Sequence, residues 1–196
     1  MTRLLLVRHG ESEWNASGRW QGWADPELTE LGMRQAKVAA TAVGAVDAIV
    51  ASDLRRAATT AEIIAAEIGI GPVIVDSALR ERDAGEWEGR TRTEIEAEWP
   101  GFLESGERPA GYEDDESVLA RVLPALLTLE AAGEAVLVVT HGGVIGAIDR
   151  ELGQTHNRTP NLGGRVVEVV EGRLKGGETI LLVDPHDVRV TAPPEV

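Results

Sequence analysis

The chain has 196 residues, enough for one domain whose core needs neither disulfide nor metal to fold. It contains no Cys, which excludes disulfides, Cys-ligated zinc, iron–sulfur clusters and thiol catalysis. The 19 Lys and Arg against 33 Asp and Glu leave a net charge of −14, which repels nucleic acid and anionic membranes.

Residues 4–7 form an apolar run that predicts a strand buried on both faces. The run is shorter than the ~7–15 residues of a signal-peptide core and is cut by Arg8 and His9, so the expected location is cytoplasmic. Residues 30–43 predict a helix with Thr29 as its cap, and 47–51 a second strand. Ser52 is expected to cap a helix reaching residue 68, because Leu54, Ala57, Ala61, Ile64 and Ile68 follow helical spacing and Gly69 fits the stop. Residues 73–75 predict a third strand, and 91–99 a short helix ended by Pro100. The stretch 101–116, rich in Gly, Pro, Glu and Asp, reads as an irregular insertion within a lid spanning about 90–117. A helix over 117–132, kinked near Pro124, leads to the strongest strand signal, 135–140, and a helix over 144–152. Strands over 164–170 and 179–183 close the pattern, and the polar, Pro-rich end, 185–196, is expected to fray. Strands alternating with helices imply one α/β domain over 1–196, a three-layer α/β/α sandwich with a mainly parallel central sheet.

Chemistry concentrates at two strand ends. The run 4–7 leads into Arg8-His9-Gly10, and the run 135–140 into His141-Gly142-Gly143. In open parallel sheets the ligand crevice lies outside the carboxyl ends of the strands, so two of the four His stand at its edge. A lone His at a strand end is more often a hydrogen-bonded structural residue; two matched strand–His–Gly endings reverse that preference. The Gly after each His lets backbone approach a ligand closely. In Ser52-Asp53-Leu54-Arg55-Arg56, two Arg oppose the dipole of a helix N-terminus, which prefers anions. Arg55 is therefore read as holding an anion together with that N-terminus, with Arg8 adding donors, while Arg56 is read as solvent-facing or paired with Asp53. In residues 79–89, Glu86 and Glu88 read as solvated, whereas Glu81 follows the core residue Leu79 and is expected at the crevice, where a carboxyl can serve as general acid.

These segments together resemble the histidine phosphatase superfamily, of phosphoglycerate mutase-like fold. Arg8-His9-Gly10-Glu11-Ser12-Glu13-Trp14-Asn15 resembles its opening motif, residues 52–61 its second, 79–89 its third and Thr140-His141-Gly142-Gly143 its fourth, in the family's order. The resemblance implies that His9 is the nucleophile, that Arg8, Arg55 and His141 bind the phosphoryl oxygens, and that Glu81 protonates the leaving oxygen and then activates water. It implies that Asn15 locks the pocket and that Gly10, Gln21, Gly22 and Gly142 complete the substrate-binding set. Donors of this kind take the place a metal holds in other phosphatases, so neither metal nor cofactor is expected.

The implied function is a metal-independent phosphomonoesterase for a small phosphorylated substrate, with no nucleic acid or membrane partner and compatible with a homodimer. The alternatives are a cofactor-dependent phosphoglycerate mutase and a non-catalytic phospho-ligand binder on the same fold. Mutases of this family usually carry Tyr where this chain has Ala84, and Asn where it has Gly143. The lid sets Arg90, Arg92 and Arg108 against Glu94, Glu96, Glu98, Glu104, Glu107, Glu113, Asp114, Asp115 and Glu116, and is expected to repel a second anionic group. Trp14, Trp20, Trp23 and Trp87 flank the motifs and are candidates for the pocket mouth; Trp99 reads as core or rim; His156 and His186 read as surface residues.

Overall fold

A computed structural model describes residues 1–155 and 158–184; the expected frayed tail, His156 and His186 lie outside them. The elements run β1 (Thr2–Arg8), α1 (Glu13–Ala16), α2 (Glu30–Ala40), β2 (Ala48–Ala51), α3 (Arg55–Ile68), β3 (Ile74–Val75), α4 (Arg92–Glu98), α5 (Phe102–Ser105), α6 (Asp115–Thr128), β4 (Ala135–Thr140), α7 (Gly142–Glu151), β5 (Gly163–Val170) and β6 (Arg173–Leu181). Among the described residues six strands form one sheet in the order β3-β2-β4-β1-β5-β6. The first four are parallel, and β5 and β6 add antiparallel at one edge.

Alternation along each strand divides the core between the two faces of the sheet. Leu5, Val7, Ile49, Ala51, Leu137 and Val139 pack with Ala36 and Ala39 of α2 and Ala57, Ala61 and Ile64 of α3. Leu4, Leu6, Val50, Val136 and Val138 pack on the other face with Val118, Val122 and Leu126 of α6 and Ile145 and Ile148 of α7. Strands covered on both sides carry no polar alternation, which is why β1 and β4 read as continuous apolar runs. A third cluster of Trp87, Ile95 and Leu103, with Trp20, Trp99, Phe102 and Tyr112 around it, forms the base of the lid.

Local chemistry sets the helix starts. The Thr29 side chain accepts from Gly32 N, and the Thr91 and Glu94 side chains form a reciprocal capping box on α4. Three expectations need correction. Ser52 does not cap α3: the N-cap is Leu54, Ser52 Oγ accepts from Leu54 N at 3.3 Å, and Asp25 Oδ1, distant in sequence, accepts from Arg55 N at 2.7 Å. The insertion holds the short helix α5 between two Gly with positive φ. The last strand begins at Arg173, earlier than the predicted 179, because much of this edge strand is exposed and carries Gly176 and Gly177, which weaken the apolar signal.

Candidate active site

β1 and β4 are neighbours with Arg8 opposite Thr140, so the next residues, His9 and His141, emerge side by side. His9 N donates to Thr140 O at 3.1 Å, and the two rings meet edge-on with centroids 5.2 Å apart. Both are buried, at 1% and 0% exposure. His9 Nδ1 lies 2.6 Å from the Gly10 carbonyl, which can only accept, so the proton sits on Nδ1 and the unprotonated Nε2 carries the lone pair of a nucleophile. Asn161 Nδ2 donates to His9 O at 2.7 Å and also to Asn15 Oδ1 at 3.3 Å, which ties the nucleophile's peptide to the loop after β1.

The expected pairing of Arg55 with the site is overturned. Arg55 points outward, its side chain 64% exposed, and pairs with Asp25 and Glu27. Arg56 is buried instead, and its Nε donates to His9 Nε2 at 3.2 Å. Its other donors reach Ala24 O at 2.7 Å and Gly22 O at 2.9 Å. Successive helical positions are ~100° apart, so only one of the two Arg can face the sheet. Arg56 shares a face with buried Ala57, Thr60, Ala61 and Ile64, and that stripe was the signal for choosing it. Glu88 is engaged as well, although it is exposed: its Oε2 accepts from Trp23 N and Ala24 N, bracing the turn whose carbonyls hold Arg56.

Arg8 is buried, and its Nη1 donates to Thr159 O at 3.0 Å. Glu81 stands across from it at the start of α7: Oε1 accepts from Arg82 N at 2.8 Å and Oε2 from Gly143 N at 3.3 Å. A Cβ on residue 143 would overlap Glu81 Oε1, so Gly is required there while Glu81 holds this position. At Gly142 an added Cβ would meet only Arg8 at an ordinary 3.7 Å. The first Gly has a different reason from the expected one: a Cβ on Gly10 would stand 2.7 Å from Gly32 O, so it permits close packing on α2. Gln21 and Asn15 line the crevice, and Gly22 both lines it and holds Arg56 through its carbonyl.

Burial, followed by the positive charges of Arg56 and Arg8, pushes the His9 imidazole well below its ordinary 6.5. His141 is depressed by burial, Arg56, His9 and Arg8 in turn. Burial lowers Arg8 and Arg56 to about 10, which leaves both cationic at neutral pH. Both ring nitrogens of His141 are buried with no hydrogen-bond partner among the described residues. An unpaired buried donor is costly, and an anion in the pocket would accept from it. The N-terminus of α7, ten residues long, opens on the same crevice, which Gly142 and Gly143 line, with Gly143 N engaged by Glu81 Oε2.

The crevice has two adjoining lobes that share Arg8, Glu81, Arg82, Tyr112 and Gly143. The smaller, about 210 Å³, is lined by Trp20, Gln21, Asn15 and Arg19. Trp23 donates its indole N–H to Glu81 O at 2.8 Å, whereas Trp87 belongs to the buried lid base. The larger lobe, about 580 Å³, adds Arg108, Arg150 and Arg158 against Asp114 and Asp115. Glu94, Glu98 and Glu113 pair with Arg19, Arg90 and Arg121, and Asp115 is held down to about 2 by Arg150 and Arg82. The charge count of the lid alone leaves out this pairing with arginines that lie mostly outside it. Arg82 and Arg108 both lie over the Tyr112 ring, at 5.6 and 5.3 Å. Arg56, Arg82, Tyr112 and Asn161 are the site residues that the sequence did not single out. Among the described residues no group of three or more His, Asp or Glu is placed to hold a metal ion.

Comparison with known proteins shows the family and the fold. The model of the histidine phosphatase superfamily, branch 1, matches residues 4–182. The 2,3-bisphosphoglycerate-dependent phosphoglycerate mutase of Methylobacterium radiotolerans is 35% identical over 198 residues, covering 92% of this chain and 93% of that protein. The glucosyl-3-phosphoglycerate phosphatase of Mycolicibacterium vanbaalenii is 38% identical over 179 residues, covering 83% and 79%. The solved structure of mycobacterial glucosyl-3-phosphoglycerate phosphatase with VO3 superposes with a TM-score of 0.79 at 33% identity, covering 86% of this chain and 91% of that one.

Proposed function

This chain belongs to branch 1 of the histidine phosphatase superfamily and is an enzyme of the histidine phosphatase kind; we propose that it is a metal-independent phosphomonoesterase acting on a small phosphorylated metabolite through a phosphohistidine at His9. The observation that carries the reading is the state of His9: neutral, with its proton fixed on Nδ1 by Gly10 O and its Nε2 lone pair beside Arg56, in a pocket where His141 lacks a partner.

Two displacements follow. His9 Nε2 attacks phosphorus and the ester P–O bond breaks; the leaving oxygen takes the Glu81 proton and departs as an alcohol. Water then attacks the phosphohistidine and gives a proton to the Glu81 carboxylate. The P–N bond breaks, its electron pair returns to Nε2, and inorganic phosphate leaves. Arg8, Arg56 and His141 donate to the phosphoryl oxygens, where charge develops in both transition states.

The second reading is a mutase, in which a substrate hydroxyl replaces water. The 35% identity to a phosphoglycerate mutase and the arginine-lined larger lobe favour it. Gly143 and Ala84, which stand where mutases of this family usually carry Asn and Tyr, favour hydrolysis. A non-catalytic binder is disfavoured because nucleophile, acid and cationic pocket are all present. A cytoplasmic location, with neither nucleic acid nor membrane as partner, belongs to the same proposal; among the described residues no helix is long and apolar enough to cross a membrane.

The test is phosphate release from a panel of phosphomonoesters in EDTA, run beside a coupled assay for interconversion of 2- and 3-phosphoglycerate. Labelled substrate should leave an acid-labile, base-stable adduct on His9, and His9→Ala should abolish turnover. Interconversion much faster than phosphate release would promote the mutase, and a labelled Ser would end the mechanism.

A further inference from the structure

Glu81 is carried on a segment with little structure of its own. Residues 80–83 lie between two 3₁₀ turns, 77–79 and 85–87, and belong to no strand of the sheet. The carboxyl is aimed by two backbone N–H groups, from Arg82 and Gly143, so its position depends on where that segment lies. Trp23 Nε1 donates to Glu81 O and Thr140 Oγ1 to Leu79 O, but one side chain on α6 makes most of the bonds to this segment. Arg121 Nη1 donates to Ala78 O and to Arg80 O, each at 2.7 Å. Nη2 donates to Glu81 O at 3.0 Å and to Glu113 Oε2 at 2.8 Å, and Nε donates to Glu113 Oε1 at 2.8 Å. One guanidinium therefore gathers three carbonyls of the acid's segment and one bidentate carboxylate.

Glu113 braces the same segment from the far side. Its Oε2 also accepts from Asp83 N at 3.1 Å, its own N donates to Asp83 O at 3.0 Å, and its carbonyl accepts from Arg82 Nη1 at 2.6 Å. The Arg121 and Glu113 side chains are only 20% and 14% exposed, so the pair is part of the fold's interior surface and not a solvated ion pair. All five Arg121 donors are spent on the carbonyls of residues 78, 80 and 81 and on Glu113, so its hydrogen bonds bear on catalysis through the Glu81 segment, while its charge adds the smallest contribution to the depression of His141.

We propose that Arg121, seated on Glu113, is the positioning residue of the general acid: it holds segment 78–81 so that the Glu81 carboxyl stands within reach of the leaving oxygen. The inference rests on the reading of Glu81 as that acid. A fork of five donors in fixed geometry can serve three carbonyls and a carboxylate together, and a Lys ammonium cannot. Displacement of a catalytic group by about 1 Å costs on the order of 10²-fold in rate, although nothing in the phosphoryl pocket itself moves.

The experiment is single-turnover phosphorylation of His9 by phosphate esters whose leaving groups range from p-nitrophenol to alkyl alcohols. Arg121→Gln, Glu113→Gln, Glu81→Gln and the double variant Glu81→Gln with Arg121→Gln are compared with the parent. A leaving p-nitrophenolate needs little protonation, so Arg121→Gln should lose only about threefold with that ester and on the order of 10²-fold with alkyl esters. The double variant should be no slower on alkyl esters than Glu81→Gln alone, because the acid it positions is already gone. Glu113→Gln should show the same selectivity more weakly, and it carries the test should Arg121→Gln not fold. Equal losses across leaving groups, or multiplying losses in the double variant, would overturn the positioning role while leaving the acid in place. If Glu81→Gln itself shows no leaving-group selectivity, the acid assignment falls and this proposal falls with it.

Discussion

Arg56 Nε donates to His9 Nε2 at 3.2 Å, so the pocket's buried guanidinium rests on the lone pair of the candidate nucleophile. A cation in that position keeps the imidazole from binding a proton. The same guanidinium is anchored by Gly22 O and Ala24 O, which keeps it in place when an incoming phosphoryl oxygen takes over its donor.

The neighbouring arginines should therefore separate cleanly. Arg56→Ala is expected to lower kcat/KM by about 10²–10³, the usual loss of one preorganised donor to a developing oxyanion. Arg55→Ala, which removes an exposed pairing with Asp25 and Glu27, should stay within about threefold of the parent. Steady-state kinetics on one phosphate ester, with urea unfolding as a control for folding, decides the point; a large loss in the Arg55 variant would restore the reading made from sequence.

Stability should fall with pH in a defined window. His9 and His141 are both held well below 6.5 in the native state, so below that pH the unfolded chain binds protons that the native chain does not. The unfolded state is then favoured as pH drops, by about 1.4 kcal/mol for each histidine one pH unit below 6.5. Urea midpoints measured from pH 7.5 to 5.5 should show the decline, and His141→Asn should make it shallower. An unchanged slope in that variant would mean that His141 is not buried in its neutral form.

Gly143→Ala should act on Glu81 and not on the phosphoryl pocket. The added Cβ would overlap Glu81 Oε1 and drive the carboxyl from its bond to Gly143 N. Binding of inorganic phosphate, measured by calorimetry, should change little, whereas turnover of alkyl phosphates should fall on the order of 10²-fold. Loss of phosphate binding to the same extent would show that the α7 N-terminus had been displaced.

Away from the site, Asp149 and Arg165 form a buried ion pair at 2.7 Å, with side-chain exposures of 4% and 10%. Asp149→Ala should cost about 3–5 kcal/mol, because it leaves a buried guanidinium without its carboxylate. Replacing both with apolar residues should cost much less. Equilibrium urea unfolding of the two variants makes the comparison, and equal losses would mean that packing and not charge sets the cost.

Much of the fold was legible because its signals are local. β1 and β4 announce themselves as apolar runs that burial on both faces requires, and Thr29 caps α2 by a contact within one turn. The two His-Gly endings followed from that reading, since a parallel sheet brings its strand ends together. What the sequence left undecided depends on contacts between distant residues. Arg55 and Arg56 are chemically alike and adjacent; only the packing of α3 on the sheet selects the one that meets His9, 47 positions away. The acidic lid looked repulsive because charge counting sees residues one by one, whereas Asp115 is matched by Arg82 and Arg150 only once the chain has folded back. Asn161 reaches His9 across 152 residues and Arg121 reaches Glu81 across 40, separations at which no local pattern survives. Arg8, His9 and His141 are thus marked by the strands they end, whereas Arg56, and the residues that aim Glu81, are chosen by tertiary packing.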